Sequence, residues 1–187
     1  MPRVLVPLAQ GCNELVAVTL IDLLRRAGIS VVTAGLDAAP VVARRGTRLL
    51  ADTTLDAALA HDYDMVVLPG GQPGSDNLNN DARIHTLLKK MAHSGKFIAA
   101  ICAAPAVLAH AGLLDGKRAT GFPGTLEKLA PPNITIENDS VVSDGKVITS
   151  RGPGTAMDFA LELIELLSGK EKRDEVEGAL QRPHRQQ

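Results

Sequence analysis

The chain lacks several features that mark common functional classes. It has no tryptophan and only 2% aromatic residues, which disfavours the stacking surfaces that bind single-stranded nucleic acid. Its formal net charge is −1 over 187 residues, so no excess of one sign favours nucleic acid or an anionic membrane as a partner. No apolar run approaches the length of a membrane span, and the first residues lack a signal-peptide pattern.

Cysteine is also scarce, with Cys12 and Cys102 as the two in the sequence. Two cysteines do not form a disulfide framework, which favours a reducing, cytoplasmic location. Histidines and acidic residues show no spacing typical of metal ligands, so we expect no metal site.

Segments typical of strands and helices alternate from the start of the chain. Residues 3–8 and 29–34 predict strands, and an apolar stripe between them predicts a helix that ends at Gly28. Short apolar strands in such a unit indicate a parallel sheet covered by helices on both faces. The stripe consists of Leu15, Val18, Leu20, Ile21 and Leu24.

The rest of the chain continues the alternation and predicts one α/β domain over residues 1–169, followed by a C-terminal helix and mobile tail over residues 170–187. The further predicted elements are a hairpin within residues 41–50, a strand at 64–68, a helix at about 82–93, a strand at 96–101, short strands on either side of the Asp144-Gly145 turn, and a long helix ending at Leu167.

Cys102 is the most informative residue, because it lies between a predicted buried strand and a predicted helix beginning near Ala103. A helix N-terminus stabilises negative charge and so favours the reactive thiolate. A nucleophile elbow requires the same strand–turn–helix geometry. The alternative is a small apolar residue that fills the core, because free cysteine is commonly buried.

Glycines at the end of another predicted strand offer a second element of a site. Gly70 and Gly71 allow the backbone to approach a ligand closely. With the amide of Ala103 they could form an oxyanion site, typically worth about 2–4 kcal/mol in the transition state. The alternative is that this segment is only a sharp exit from the strand. The loops expected to converge at the carboxyl edge of the sheet are 11–14, 69–74, 102–104 and 151–155.

Three blocks, in order, carry a family resemblance: residues 68–71 (LPGG), 99–105 (AAICAAP) and 149–155 (TSRGPGT). From the first strand to Leu167 the chain resembles the ThiJ/PfpI superfamily, most closely its Parkinson disease protein 7 branch. The resemblance implies a flavodoxin-like α/β sandwich and usually a homodimer. The activities it implies are cofactor-free conversion of glyoxals to hydroxy acids, protein deglycation and stress-related chaperoning.

By position, the resemblance makes Cys102 the nucleophile or oxidation sensor, and Gly71 and Ala103 the oxyanion donors. The candidate substrate-binding residues are Arg26, Arg45 and Pro153. The two arginines match family arginines near the dimer interface. There they would attract an anionic group of a small carbonyl substrate. The alternative for both arginines is ordinary surface charge or an interface ion pair.

The sequence departs from the family pattern at the site itself. Val16 occupies the position of a glutamate that transfers a proton and contacts the cysteine, and the loss of a general acid/base typically costs about 10²- to 10⁴-fold in rate. Glu14 should point away from the thiol, because it precedes Val16 by two positions and this spacing corresponds to about 200° around a helix axis. Val16 cannot donate a hydrogen bond to the sulfur and adds desolvation, so we expect a less acidic thiol. Asn13 replaces an acidic residue and Arg44 a small one, so we expect a cavity that is more apolar at Val16 and more cationic near Arg44 and Arg45. Natural divergence and redesign both fit these changes.

No cysteine–histidine pair is apparent. Phe122 stands where some family members have histidine, and Ala103 stands where the protease-like branch has one. This disfavours peptidase and amidotransferase chemistry. For Cys12 we favour a packing role.

Three functions therefore remain open from the sequence. The first is Cys102-dependent conversion of small dicarbonyls, weakened by Val16. The second is a redox-sensing or chaperone-like stress protein. The third is a catalytically silent form of the scaffold.

Overall fold

The computed structural model describes residues 1–183. The strands are β1 (Arg3–Leu8), β2 (Ser30–Gly35), β3 (Val41–Val42), β4 (Arg48–Leu49), β5 (Thr53–Thr54), β6 (Met65–Leu68), β7 (Phe97–Ile101), β8 (Arg118–Ala119), β9 (Thr135–Ile136), β10 (Val141–Asp144) and β11 (Val147–Ser150). The helices are α1 (Glu14–Arg26), α2 (Leu55–Ala58), α3 (Gly74–Asn79), α4 (Ala82–His93), α5 (Pro105–His110), α6 (Thr125–Leu129), α7 (Ala156–Ser168) and α8 (Lys170–Ala179), with a 3₁₀ turn at Pro153–Thr155.

A seven-stranded sheet with the order β10-β11-β7-β6-β1-β2-β5 forms the centre of the described fold. All neighbouring strands in it are parallel except β10 and β11, which form the predicted hairpin. The side chains of β1 alternate between the two faces, with Val4 and Val6 packing under α1 and α7 and Leu5 packing on the opposite face. Helices cover both faces, which confirms the predicted flavodoxin-like α/β architecture.

The predicted apolar stripe of α1 is wrong at two positions. Leu15 and Val18 are 54% and 46% exposed. Residues 15–18 and 20–21 are almost continuously apolar, so periodicity alone does not identify the buried face. The residues that α1 buries are Val16, Ala17, Leu20, Leu23 and Leu24.

The last helix extends the α1/α7 layer. α8 packs along α7 and buries Val176. The part of the predicted mobile tail at residues 184–187 lies outside the described residues. Within residues 1–183, no helix is long and apolar enough to cross a membrane.

Candidate active site

Cys102 lies on a sharp turn between β7 and α5. Its φ is +64°, a left-handed conformation that typically costs a non-glycine residue about 1–3 kcal/mol and is concentrated at functional sites. The turn is held on both sides, because the Cys102 N–H donates to the Ser150 carbonyl at 3.0 Å and its carbonyl accepts from the Phe122 N–H at 2.7 Å. The predicted elbow at Cys102 is therefore present.

The glycines after β6 pack directly against this turn. A Cβ on Gly70 would lie 2.5 Å from the Ile101 carbonyl oxygen and 2.6 Å from the Cys102 Cβ. Gly71 has φ +100°, and a Cβ there would lie 2.5 Å from the Asn13 nitrogen. The Asn13 N–H donates to the Gly70 carbonyl at 2.8 Å. These glycines are therefore required where the β6 exit, the Cys102 turn and the start of α1 meet.

The surroundings of the Cys102 sulfur have opposing effects on its acidity. The residue is 7% exposed, and this burial raises the pKa of the thiol above its ordinary value. The backbone N–H groups of Ala103 and Gly71 and the charge of Arg44 act in the other direction and offset part of the effect on that pKa. Gly71 and Ala103 thus face the sulfur, and the direction of the pKa shift agrees with the expected less acidic thiol.

The helix beside the thiol supplies no carboxylate from its buried face. Val16 is fully buried in the same apolar cluster as Cys102. The Asn13 side chain caps α1 by accepting from the Val16 N–H at 3.2 Å. The Glu14 carboxylate accepts from backbone N–H groups of the β3–β4 loop, at 3.0 Å from Arg45. Glu14 is therefore engaged away from the sulfur, as its helical position predicts.

Arg44 brings a positive charge to the site. Its N–H donates to the Cys12 carbonyl at 2.8 Å, and its guanidinium donates to the Gln72 carbonyl. Gln72 follows Gly71 directly, which places the guanidinium beside the loop that faces Cys102. The sequence identified Arg44 as a departure from the family pattern, but gave no signal for its contact with Gln72.

The two candidate substrate arginines lie in different places. Arg45 is exposed in the β3–β4 loop, next to Arg44. Arg26 pairs with Asp22 in the last turn of α1, about 18 Å along the helix from Glu14. The structure therefore does not bring Arg26 to Cys102 within one chain.

Pro153 begins the 3₁₀ turn that follows β11. The strand ends at Ser150, whose carbonyl holds the Cys102 N–H. Phe122 is half exposed, and a Cβ on Gly152 would lie 3.6 Å from its ring. The loop that contains Pro153 thus starts at the elbow and lies against Phe122, a contact that the sequence did not predict.

The second thiol has a different environment. Cys12 is 2% exposed, and burial, reinforced by the nearby Glu14, raises its pKa to about 11. A Cβ on Gly74 would lie 2.6 Å from the Cys12 Cα. This close packing fits the structural role favoured for Cys12. In the described part of the chain, no cluster of three or more His, Cys, Asp or Glu side chains could hold a metal ion.

Comparison with known proteins places this arrangement in context. Protein DJ-1 homolog A of Arabidopsis thaliana is 45% identical over 179 residues, which cover 95% of this chain and 46% of that protein. The chain thus spans less than half the length of that relative. The glutathione-independent glyoxalase DJR-1.2 of Caenorhabditis elegans is 35% identical over 167 residues, 89% of each chain.

Comparison with solved structures agrees with the sequence relatives. The crystal structure of Drosophila melanogaster DJ-1beta superposes with a TM-score of 0.93 at 42% identity, and the match covers 98% of this chain and 99% of that one. Residues 2–166 match the DJ-1/PfpI family. The chain therefore belongs to the DJ-1/PfpI family.

Proposed function

We propose that the protein converts small 2-oxoaldehydes, such as glyoxal and methylglyoxal, to hydroxy acids, with Cys102 as the nucleophile and without a cofactor. The observation that carries the proposal is the strained Cys102 turn, with the N–H groups of Gly71 and Ala103 facing the sulfur. The 35% identical relative named as a glutathione-independent glyoxalase supports the same reaction class.

The reaction begins with addition. The Cys102 thiolate attacks the aldehyde carbon, a C–S bond forms, and the carbonyl electron pair moves to oxygen. The Gly71 and Ala103 N–H groups can donate to this oxyanion, since they border the position of the sulfur. The product is a hemithioacetal that still carries its hydrogen on the former aldehyde carbon.

A proton then moves from that carbon to the neighbouring ketone carbon by way of an enediol, while the hemithioacetal hydroxyl gives its proton to the ketone oxygen and becomes the thioester carbonyl. The result is a thioester of the hydroxy acid. Water hydrolyses the thioester, releases the acid and returns the Cys102 thiol. Val16 cannot accept or deliver the proton, so water or a substrate hydroxyl must transfer it. We expect turnover lower by about 10²- to 10⁴-fold than with a positioned base.

The test is hydroxy-acid formation from methylglyoxal by the parent protein, Cys102→Ala and Cys12→Ala. We expect Cys102→Ala to abolish turnover, while Cys12→Ala stays within about twofold of the parent, because Cys12 is buried away from solvent in a packing role. The absence of any cysteine-dependent turnover would overturn the enzymatic proposal and leave the sensor or the silent scaffold.

A redox-sensing role is the second candidate. Amide N–H groups and the Arg44 charge near Cys102 would stabilise an anionic oxidised sulfur. Mass spectrometry of peroxide-treated protein tests this, since a sensor forms sulfinate at Cys102. A thiol that stays unmodified while methionines oxidise would exclude it.

We also propose that the protein forms a homodimer. Leu15 and Val18 make an apolar strip on the outer face of α1, and a second copy against α1 would bury it. Sedimentation equilibrium gives the mass in solution, and a monomer at micromolar concentration would contradict this assembly.

A further inference from the structure

The charges around Cys102 are unevenly distributed. Val16 and Asn13 contribute no charge at the start of α1, whereas Arg44 and Arg45 lie together in the β3–β4 loop. Within residues 1–183, neither arginine has a carboxylate oxygen within salt-bridge distance of its guanidinium. The nearby Glu14 carboxylate is occupied by the N–H groups of Arg45 and Thr47.

The backbone fixes Arg44 at this position. Its N–H binds the carbonyl of Cys12, and its guanidinium reaches the carbonyl of Gln72. Gln72 is one residue beyond Gly71, whose N–H faces the Cys102 sulfur. The positive charge is thus held against the loop that forms one wall of the site.

The Arg44 guanidinium also has N–H donors that are not engaged by Gln72. An arginine side chain carries five N–H donors, and one nitrogen, Nη1, is engaged by Gln72 in the described structure. The side chain is exposed, so its other donors can turn toward a molecule that approaches Cys102. A planar guanidinium with free donors matches a carboxylate or a phosphate.

We propose that Arg44 forms an anion-binding site at the mouth of the Cys102 site, which selects carbonyl compounds that carry a carboxylate or phosphate group near the reacting carbon. The selection of such substrates rests on the proposed function. The attraction of anions to Cys102 does not, because it requires only a reactive thiol and a fixed positive charge.

The test compares iodoacetate with iodoacetamide as alkylating agents of Cys102. In both reactions the thiolate forms a C–S bond and iodide leaves, and the reagents differ mainly in one negative charge. The ratio of the two rate constants therefore cancels changes in thiolate fraction and in access to the sulfur. Mass spectrometry of the peptide that contains Cys102 separates its alkylation from that of Cys12.

We expect Arg44→Ser to lower the iodoacetate/iodoacetamide ratio about fivefold at low ionic strength, which corresponds to about 1 kcal/mol for one charge a few ångströms away in a largely aqueous setting. Arg44→Lys keeps the charge and should retain most of the parent ratio. Arg48→Ser is the matched control, since it removes an exposed arginine from the same hairpin. The parent ratio should fall as salt is added.

An unchanged ratio in Arg44→Ser would overturn the proposal. An equal fall in Arg48→Ser would overturn it as well, because the effect would then belong to the hairpin as a whole. The ratio needs no turnover, so failure of the dicarbonyl reaction leaves this test intact. Where turnover is present, Arg44→Ser should lower kcat/KM for a phosphate-bearing 2-oxoaldehyde more than for methylglyoxal.

Discussion

The two cysteines lie near the same edge of the sheet but have different surroundings. Cys102 directly follows β7, and Cys12 lies in the loop between β1 and α1. Both are buried. Burial raises the pKa of each thiol, but Glu14 adds to the increase at Cys12, whereas two backbone N–H groups and Arg44 oppose it at Cys102.

This difference shows that neighbouring backbone N–H groups and charges modify the effect of burial, which is the largest cause of the raised pKa at both thiols. A carboxylate near Cys12 disfavours its thiolate, and an arginine near Cys102 favours one. Only Cys102 among the two has a left-handed backbone conformation, which directs the side chain out of the regular path of strand and helix. These surroundings support the packing role favoured for Cys12 and the chemical role proposed for Cys102.

The largest expected effect is on turnover, and it comes from placing a carboxylate beside Cys102 but not beside Cys12. Val16→Glu should raise dicarbonyl turnover by about 10²-fold or more, because it supplies a group able to transfer the proton between adjacent carbons. It should also lower thermal stability, because the position is fully buried. Steady-state hydroxy-acid production and the melting temperature measure the two effects.

Leu166→Glu is the control for this change, because Leu166 is exposed near the end of α7, at the edge of the sheet opposite Cys102. It adds the same charge without a route to the thiol, so turnover should stay near the parent value. Equal stimulation by both variants would show that the carboxylate at position 16 has no positional role.

Two alanine substitutions should have smaller effects and should show that the packing around Cys102 is independent of the packing around Cys12. Gly70→Ala places a methyl group against Cys102, and Gly74→Ala places one against Cys12, in each case within 2.6 Å of existing atoms. Both substitutions should destabilise the fold by roughly 1–3 kcal/mol, as overpacking does. Only Gly70→Ala should slow alkylation of Cys102, by about tenfold, through displacement of the elbow.

Chemical denaturation gives the stability of the two alanine variants, and peptide mass spectrometry gives the alkylation rates. Slowing of Cys102 by Gly74→Ala to the same extent would contradict the separation, since the two thiols would then share one mechanically coupled site.

The sequence predicted the main elements of the fold because their patterns are long or distinctive. α4 matches its predicted bounds, and the hairpin at Asp144-Gly145 is present because that dipeptide suits a tight turn. Elements such as β5 and β8 have two residues each, too few for any periodicity to register.

The sequence also predicted part of the candidate site. The position of Cys102 between strand and helix predicted the elbow, and helical geometry predicted the direction of Glu14. Contacts between distant segments carried no sequence signal, which is why the hold of Arg44 on Gln72 was not predicted. The separation of Arg26 from Cys102 depends on how α1 packs against the sheet, which the sequence pattern does not specify.

Competitive alkylation of the native protein tests the central claim most directly. Both cysteines are labelled by iodoacetamide from pH 7 to pH 11, and each labelled peptide is quantified over time. Because thiolate is the reactive form, each rate rises with pH. We predict that Cys102 is modified first, with a pKa above that of an ordinary thiol, and that Cys12 follows only as pH approaches about 11. Equal labelling of the two cysteines, or a pKa for Cys102 well below neutrality, would contradict the account.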